Sequence, residues 1–192
     1  MSKRKILAIQ GSFRNNGITS SMLDRACEEA EKAGHYVERI RLHDCNISFC
    51  KGCRKCFETG ECVFKNDDMV RIAESIKKAD VIILASPVYW ANVPAIVKNL
   101  FDRMSGTSME ETKTFPKPRL SGRRYILLTS CSTPMPFAAI FGQTTGLKRA
   151  VKEYFKTSGI SCIGTVACGS SAKCKKVPKA KLDKISKLIR KI

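Results

Sequence analysis

The stretch that decides the fold is Lys5-Ile-Leu-Ala-Ile-Gln10 followed by Gly11-Ser-Phe-Arg-Asn-Asn-Gly-Ile-Thr-Ser-Ser21. Its first part is a short apolar run typical of a buried strand, and its second part is a small, hydroxyl-rich turn that leads into a helical pattern. Backbone N–H groups and hydroxyls at a helix N-terminus form a cradle for an anion, to which Arg14 adds a charged donor. The stretch has neither a Gly-x-Gly-x-x-Gly nor a Gly-Lys-Ser/Thr pattern, so it favours a single phosphate. The alternative is an ordinary turn in which Thr19 and Ser20 only cap the helix.

Four further apolar runs predict strands at Tyr36–Leu42, Val81–Ser86, Tyr125–Ser130 and Ile160–Ala167. Helical patterns lie between them, and this alternation indicates right-handed βαβ crossovers with a mainly parallel sheet covered on both faces. In the run at 36–42, charges alternate with apolar residues, which predicts an edge strand. Five strands with five helices favour the strand order 2-1-3-4-5. The predicted fold class is α/β, a flavodoxin-like three-layer sandwich around a five-stranded parallel sheet.

The length of 192 residues and the apolar share of 43% predict one globular domain over residues 1–192. Two additions to this domain are expected, a cysteine-rich insertion at about 44–65 and a basic C-terminal helix at about 178–192. No apolar run approaches the roughly 18 residues that a membrane span needs, and the run at 6–10 is too short for a signal peptide. We therefore expect a cytoplasmic protein with no membrane partner.

The formal net charge is +18, and nine basic residues against one acid fall between Ser171 and Ile192. In the tail, apolar residues recur at helical spacing, at Leu182, Ile185, Leu188, Ile189 and Ile192, so one face can dock while the lysines stay in water. A solvated amphipathic helix is the simpler interpretation, and binding to nucleic acid or an anionic membrane is the alternative. The absence of a recognition motif or an array of base-stacking aromatics argues against nucleic acid.

A second unusual loop follows the third predicted strand and reads Ser86-Pro-Val-Tyr-Trp-Ala-Asn-Val-Pro94. Prolines hold such a loop rigid, and backbone amides with flanking aromatic side chains suit a flat, amphipathic ring such as isoalloxazine. Core packing of Trp90 is the alternative. After the fourth predicted strand, Cys131-Ser-Thr-Pro134 offers small polar groups at the same edge of the sheet.

Ten cysteines are present, four of them in the compact pattern Cys50-x2-Cys53-x2-Cys56-x5-Cys62. Thiolates at this spacing ligate a [4Fe–4S] cluster or zinc, and neighbouring basic residues would offset the cluster's negative charge. Unligated thiols or a disulfide are the alternatives, although a reducing compartment disfavours the disulfide. The two histidines, His35 and His43, flank the edge strand and are predicted to lie at the surface.

In these motifs the sequence resembles the NADPH-dependent FMN reductase superfamily, and within it the iron–sulfur flavoprotein branch. The matching segments are the loop at 11–20, the four-cysteine pattern, Asp67-Asp68-Met69, and Ser86-Pro-Val-Tyr-Trp with Pro94 and Asp102-Arg103. The resemblance implies FMN, held by cofactor-binding residues that we take to be Ser12, Arg14, Thr19, Ser20, Ser21, Pro87, Val88, Tyr89, Trp90, Asn92, Cys131 and Ser132. It also makes Arg103 a candidate for the charged group near the reduced ring. One departure is Ile18, where relatives often carry Asn.

The predicted function is an FMN-dependent oxidoreductase or electron-transfer flavoprotein that passes electrons between a [4Fe–4S] cluster on Cys50, Cys53, Cys56 and Cys62 and the flavin. The alternatives are a cluster-free NAD(P)H-dependent reductase of flavins, quinones or nitro compounds, and a cysteine-based redox sensor. The donor would be NAD(P)H or a ferredoxin-like protein, and the acceptor a small molecule or a protein. No side chain is predicted to be catalytic, because the flavin itself carries the chemistry. From the resemblance we also expect a homodimer or homotetramer.

Overall fold

The structure is a computed structural model and describes residues 3–192. Its strands are β1 (Lys5–Gln10), β2 (Tyr36–Arg41), β3 (Val81–Pro87), β4 (Met109–Glu110), β5 (Lys117–Pro118), β6 (Arg124–Ser130) and β7 (Ser161–Cys168). Five of them form one parallel sheet in the order β2-β1-β3-β6-β7, and β4 pairs with β5 in a small antiparallel hairpin. The predicted order 2-1-3-4-5 is confirmed, since β6 and β7 are the fourth and fifth strands of the main sheet.

The helices are α1 (Ile18–Lys32), α2 (Lys55–Thr59), α3 (Met69–Lys78), α4 (Ala95–Arg103), α5 (Ser105–Ser108), α6 (Phe137–Ile140), α7 (Gln143–Thr157) and α8 (Lys179–Ile189). Apolar side chains of α1 and α8 pack on one face of the sheet. Those of α3, α4 and α7 pack on the other face. The sheet is therefore the middle of three layers, as the sequence predicts.

The central strand β3 shows why the apolar runs read as strands rather than helices. Val81, Ile83 and Ala85 belong to the core on the α1 side, whereas Ile82 and Leu84 belong to the core on the α3 side. Successive side chains of a strand point to opposite faces, so a strand covered on both faces must be apolar throughout. The alternating charges of β2 place that strand at the edge of the sheet.

Several local features differ from the sequence predictions. Three short helices, α2, α5 and α6, and the β4–β5 hairpin come in addition to the five helices and five strands that the sequence predicts. The prediction that His35 lies at the surface is wrong, because it is buried and its Nδ1 accepts a hydrogen bond from the Arg4 N–H at 3.3 Å. The Tyr36 N–H donates to the Arg4 carbonyl at 3.0 Å, so His35 lies beside the chain that enters β1.

The C-terminal helix docks as its apolar spacing predicts. Ile185, Leu188 and Ile189 are buried, while Lys184 and Lys187 are exposed. The helix packs beside α1 and over β7. Over residues 3–192, none of the helices is both long and apolar enough to cross a membrane.

Candidate functional site

A cavity of about 540 Å³ opens at the carboxyl ends of β1, β3, β6 and β7. In an open parallel sheet this edge is where ligands bind, near the point at which the strand order reverses. The cavity is lined by Ser12, Arg14, Asn16, Gly17, Ile18, Thr19, Pro87, Val88, Tyr89, Ser130, Cys131, Ser132, Ser171, Ala172, Cys174 and Lys175. Within the described residues, this lining includes two cations, Arg14 and Lys175, and no carboxylate, so it favours an anionic ligand.

The loop after β1 supplies the polar end of the cavity. Of the predicted cofactor-binding residues in this loop and at the start of α1, Ser12, Arg14 and Thr19 line the cavity, whereas Ser20 and Ser21 do not. Ser20 is buried, and its hydroxyl donates to the Arg14 carbonyl at 2.5 Å. The Thr19 hydroxyl lies 2.6 Å from that of Ser130 and so joins α1 to β6. Ser20 therefore shapes the loop, while Thr19 lies at the wall itself.

The N-terminus of α1 fits an anion. Gly17 caps the helix without a side-chain hydrogen bond, and the first intrahelical bond runs from the Ser21 N–H to the Gly17 carbonyl. The preceding N–H groups, at Ile18, Thr19 and Ser20, have no partner within the helix. Because Ile18 and Thr19 line the cavity, the first two of these donors lie at its wall. A phosphate here would accept hydrogen bonds from them and face the positive end of the helix dipole.

Arg41, at the end of β2, holds the same loop from its outer side. Its Nη2 donates to the Phe13 carbonyl at 2.5 Å, and its guanidinium lies over the Phe13 ring, 5.7 Å from the centroid. Its other nitrogen, Nη1, pairs with Asp44. The loop is thus fixed on one side by Arg41 and on the other by Ser20, which keeps its donors in place for a ligand.

The loop after β3 forms a tight turn beside the cavity. Tyr89 and Asn92 exchange two backbone hydrogen bonds of 2.9 Å, and both central residues, Trp90 (φ 51°) and Ala91 (φ 58°), are left-handed. A left-handed backbone is unfavourable for residues other than glycine, so contacts with the rest of the protein must hold this turn. Some of these contacts come from Gly146 on α7, where an added Cβ would lie 2.2 Å from the Ala91 carbonyl oxygen.

The predicted ring-binding residues divide between two adjoining cavities. Pro87, Val88 and Tyr89 line the main cavity, as do Cys131 and Ser132. Trp90 lines a neighbouring cavity of about 420 Å³, which Val88, Cys131 and Ser132 also line. Asn92 lines neither and instead closes the turn. Trp90 is fully exposed, so the alternative of core packing for this side chain is wrong.

Cys131, which lines both cavities, has a thiol whose pKa is changed by burial. Burial raises the pKa of the Cys131 thiol, which is only 4% exposed as a residue. A raised pKa keeps the sulfur protonated at neutral pH, and a protonated thiol is a poor nucleophile. Cys131 is thus a small, buried residue in the wall of both cavities, and its burial disfavours the thiolate form.

Sequence reasoning missed the wall that follows β7. Ser171, Ala172, Cys174 and Lys175 line the cavity, although only the loops after the first, third and fourth strands were expected there. The signal was available, because the carboxyl ends of all parallel strands meet at one edge of the sheet. The small residues Gly169-Ser-Ser171 directly follow the fifth strand and are typical of such a loop.

The four cysteines of the compact pattern lie in the surface segment 45–68 between β2 and α3, here called the cysteine loop, and Cys56 lies within its short helix α2. Cys50 and Cys53 are exposed, and Cys56 and Cys62 are half-buried. The Cys62 sulfur accepts a hydrogen bond from Arg103 Nε at 3.3 Å. Four thiols in one loop with basic neighbours form a donor set that suits a soft metal centre. Across residues 3–192, however, the structure places no three His, Cys, Asp or Glu side chains together as a metal-binding group.

Arg103 has a different position from the one that the resemblance implied. It does not line the main cavity, and its side chain is fully buried against the cysteine loop. Its guanidinium donates to both carboxylate oxygens of Asp67, at 2.6 and 3.1 Å, and to the carbonyls of Ser48 and Phe64. With these bonds its donors are committed, so Arg103 anchors the cysteine loop to α4 and is not available to a ring in the cavity.

The Asp67 carboxylate compensates the positive charge of the buried Arg103 side chain. Burial alone would raise the pKa of Asp67, but hydrogen bonds from Arg103 and from the backbone N–H groups of Ser48 and Met69 outweigh it and lower that pKa. The carboxylate is therefore charged at neutral pH. Asp67 connects the cysteine loop, through Ser48, to the start of α3, through Met69.

Comparison with known sequences agrees with this geometry. The sequence profile of the family described as NADPH-dependent FMN reductase matches residues 4–132, about two thirds of the chain. The chain belongs to the NADPH-dependent FMN reductase family. The matched segment contains the loops after β1 and β3, the first two residues of the loop after β6 and the whole cysteine loop, and family membership supports FMN as the cofactor.

Curated relatives indicate the branch of the FMN reductase family. An iron-sulfur flavoprotein of Archaeoglobus fulgidus is 43% identical over 100 residues, which cover 52% of this chain and 45% of the relative. An iron-sulfur flavoprotein of Methanosarcina thermophila is 37% identical over 99 residues, covering 52% of this chain and 51% of the relative. The prediction of this superfamily and branch is confirmed. The matches span about half the length of these relatives.

Solved structures support the fold of this FMN reductase family member along nearly all of its length. The NAD(P)H:quinone oxidoreductase of Methanothermobacter marburgensis has a TM-score of 0.77 at 16% identity, with 98% of each chain covered. An FMN-dependent NADH-azoreductase of Bacillus anthracis, in complex with FMN, has a TM-score of 0.70 at 16% identity and covers 98% of this chain and 96% of its own. At these identities the likeness concerns the fold.

Proposed function

We propose that this protein is an FMN-dependent oxidoreductase that binds its flavin in the cavity at the carboxyl ends of β1, β3, β6 and β7. The observation that carries the proposal is that one cavity is lined both by the N-terminus of α1 with its hydroxyl-rich loop and by Pro87, Val88 and Tyr89 from the loop after β3. The first element suits a phosphate and the second suits the edge of a flat ring. Family membership and the absence of carboxylates among the described lining residues agree with an anionic flavin.

The cavity residues would divide the work of binding. Ser12, Arg14 and Thr19 would hold the phosphate, with Ser20 and Ser21 shaping the first turn of α1. The segment from Pro87 to Asn92, together with Cys131 and Ser132, would flank the ring. When bound, the flavin supplies hydride and electron transfer, while the protein fixes its position and electrostatic environment.

For the cysteine loop, we propose that Cys50, Cys53, Cys56 and Cys62 ligate a [4Fe–4S] cluster. Their common loop, the hydrogen bond from Arg103 to the Cys62 sulfur and the names of the curated relatives support this assignment. Positive charge and hydrogen bonds to sulfur stabilise a negatively charged thiolate centre. The second candidate is a cluster-free NAD(P)H-dependent reductase, which the match to the NADPH-dependent FMN reductase family supports.

The proposed function implies an electron donor, an electron acceptor and an assembly of identical subunits. We propose NAD(P)H or a ferredoxin-like protein as donor and a small molecule or protein as acceptor. Assembly into a homodimer or homotetramer would cover the exposed apolar residues Phe137, Ile140 and Phe141, which follow the loop after β6. Location in the cytoplasm fits the unpaired state of the ten cysteines.

The test is an ultraviolet–visible spectrum of protein purified without oxygen, before and after dithionite, with iron and sulfide assayed on the same sample. Flavin bands with a broad shoulder and about four irons per chain would support the cluster-containing form. Flavin bands without iron would leave the cluster-free reductase. A colourless protein that takes up no added FMN would contradict the proposal as a whole.

Replacing two of the proposed ligands separates the two cofactors. We expect the double substitution of Cys56→Ser and Cys62→Ser to remove nearly all iron, because a hydroxyl is a poor ligand for a soft centre. FMN content is expected to stay unchanged, since neither residue lines the main cavity. Cys162→Ser, at an exposed cysteine outside the loop, is the matched control and should keep both. Equal iron in the double variant and the control would exclude these two residues as ligands.

A further inference from the structure

The C-terminal part of the chain supplies one wall of the main cavity, although the family match ends at residue 132. Ser171, Cys174 and Lys175, in the connection between β7 and α8, line the same space as Arg14 and Thr19. This connection lies outside the matched segment. Its contribution to the site is therefore a property that the structure alone reveals.

The backbone of the connection follows a fixed path. The Ser171 N–H donates to the Cys131 carbonyl at 2.9 Å, and the Ser170 N–H donates to the Thr133 carbonyl at 3.1 Å. Gly169 lies so close to this neighbouring loop that an added Cβ would be 2.6 Å from the Met135 nitrogen. These contacts fasten the connection to the loop after β6, which itself lines the cavity.

Side chains on either side of Lys175 are anchored as well. Cys174 and Val177 both pack against the core between the sheet and helices α1 and α8, and Ile18 belongs to that core. Lys175 is exposed between these two anchors and lines the cavity that the N-terminus of α1 also lines. Its backbone is thus held at the mouth of the site while its ammonium group can turn toward a ligand.

The charge and hydrogen-bonding pattern of the wall indicates what that group would bind. Ile18, the first residue of α1, offers the cavity an apolar side chain with no donor. Arg14 and Lys175 supply the cationic side chains of the described lining. A phosphate with two negative charges can pair with a second cation besides Arg14. The ammonium group of a lysine is a compact charge that donates hydrogen bonds to phosphate oxygens.

We propose that Lys175 is a phosphate-binding residue of the flavin site, acting with Arg14 from a different loop. The inference rests on the proposed function and extends it to a residue outside the family match. A residue with this role distinguishes FMN from riboflavin, which has the same ring and no phosphate.

The test is a fluorescence titration of FMN and of riboflavin into the full-length apoprotein. For Lys175→Gln we expect the Kd of FMN to rise about three- to tenfold. This is the loss expected for one charge-assisted hydrogen bond to phosphate that is weakened because the lysine is exposed to solvent. The Kd of riboflavin is expected to change less than about twofold, because the ring contacts are intact. Lys176→Gln, at an adjacent exposed lysine that does not line the cavity, is the matched control and should change neither value.

Three results would overturn the assignment of Lys175. These are an unchanged FMN affinity in Lys175→Gln, an equal loss for FMN and riboflavin, or an equal loss in the Lys176→Gln control, which would indicate only the general basic field of the surface. Thermal unfolding of both variants should match that of the wild type, since both side chains are exposed. A wild-type protein that binds neither flavin would instead contradict the proposed function.

Discussion

Substitution of Arg103 by methionine is expected to lower the free energy of unfolding by about 3–5 kcal/mol, because it leaves the Asp67 carboxylate buried without its partner. The variant also removes the donors to the Ser48 and Phe64 carbonyls and to the Cys62 sulfur. The loss therefore falls on the contact between the cysteine loop and α4. Urea unfolding followed by circular dichroism measures it.

The same helix offers a matched control. Lys98 and Asp102 form an ion pair one turn apart on α4, but their side chains are 54% and 42% exposed. Exposed pairs contribute up to about 1 kcal/mol, so Lys98→Met should change stability far less than Arg103→Met. Equal losses of unfolding free energy in the two variants would show that the buried Arg103–Asp67 pair stabilises the protein no more than the exposed Lys98–Asp102 pair does.

The pH dependence of stability tests the Arg103–Asp67 ion pair through the protonation of Asp67. Because the pKa of Asp67 is lowered in the folded protein, its contribution to stability is fully present above the unfolded-state value of about 3.9. The contribution is lost as the pH falls through the lower folded-state pKa. The stability difference between wild type and Asp67→Asn should therefore be large at pH 7 and shrink below about pH 4. A difference that is independent of pH would contradict the charged state of Asp67.

The second large effect concerns Gly146, and it separates the ring end of the site from the phosphate end. In Gly146→Ala the new Cβ would lie 2.2 Å from the Ala91 carbonyl oxygen and 3.1 Å from the Ala91 Cβ, so the turn at 89–92 must move. Overpacking of this kind costs about 1–3 kcal/mol, which corresponds to roughly a 5- to 150-fold rise in Kd if the flavin site bears the whole cost. FMN and riboflavin should lose affinity alike, in contrast to Lys175→Gln.

Alanine is a better helix former than glycine by about 1 kcal/mol, so the helix itself gives no reason for a loss in Gly146→Ala. The control is Arg149→Ala, at an exposed position on the same helix, for which flavin affinity should be unchanged. The measurement is the fluorescence titration with both flavins. Unaltered binding in Gly146→Ala would mean that the turn at 89–92 does not touch the ring.

Much of this architecture could be predicted from local patterns in the sequence. The apolar runs at 5–10 and 81–86 specify strands, because a strand covered on both faces must be apolar at every position. Once the strands alternate with helices, the carboxyl ends of β1, β3 and β6 must meet at one edge. That is why Ser12, Arg14, Thr19, Pro87, Val88 and Tyr89 were correctly expected near each other, and the structure places all six around one cavity.

Other features depended on contacts between residues far apart in the chain. The resemblance associated Arg103 with the flavin, but packing of α4 under the cysteine loop pairs it with Asp67 instead. Lys175 belonged, by composition, to a basic tail, yet the path of the connection after β7 brings it to the cavity that Arg14 lines. The spacing of the four cysteines likewise places them in one loop without determining how their sulfurs point.

The sequence by itself thus determined the elements, their order in the sheet and the edge at which the proposed flavin site lies, since each follows from periodicity within one segment or from the geometry of parallel strands. Only the tertiary structure decided which side chains complete the site and which are committed elsewhere. The physical reason is that a hydrogen bond or an ion pair acts over a few ångströms, and the partners within that distance are set by the packing of helices and loops that no local pattern encodes.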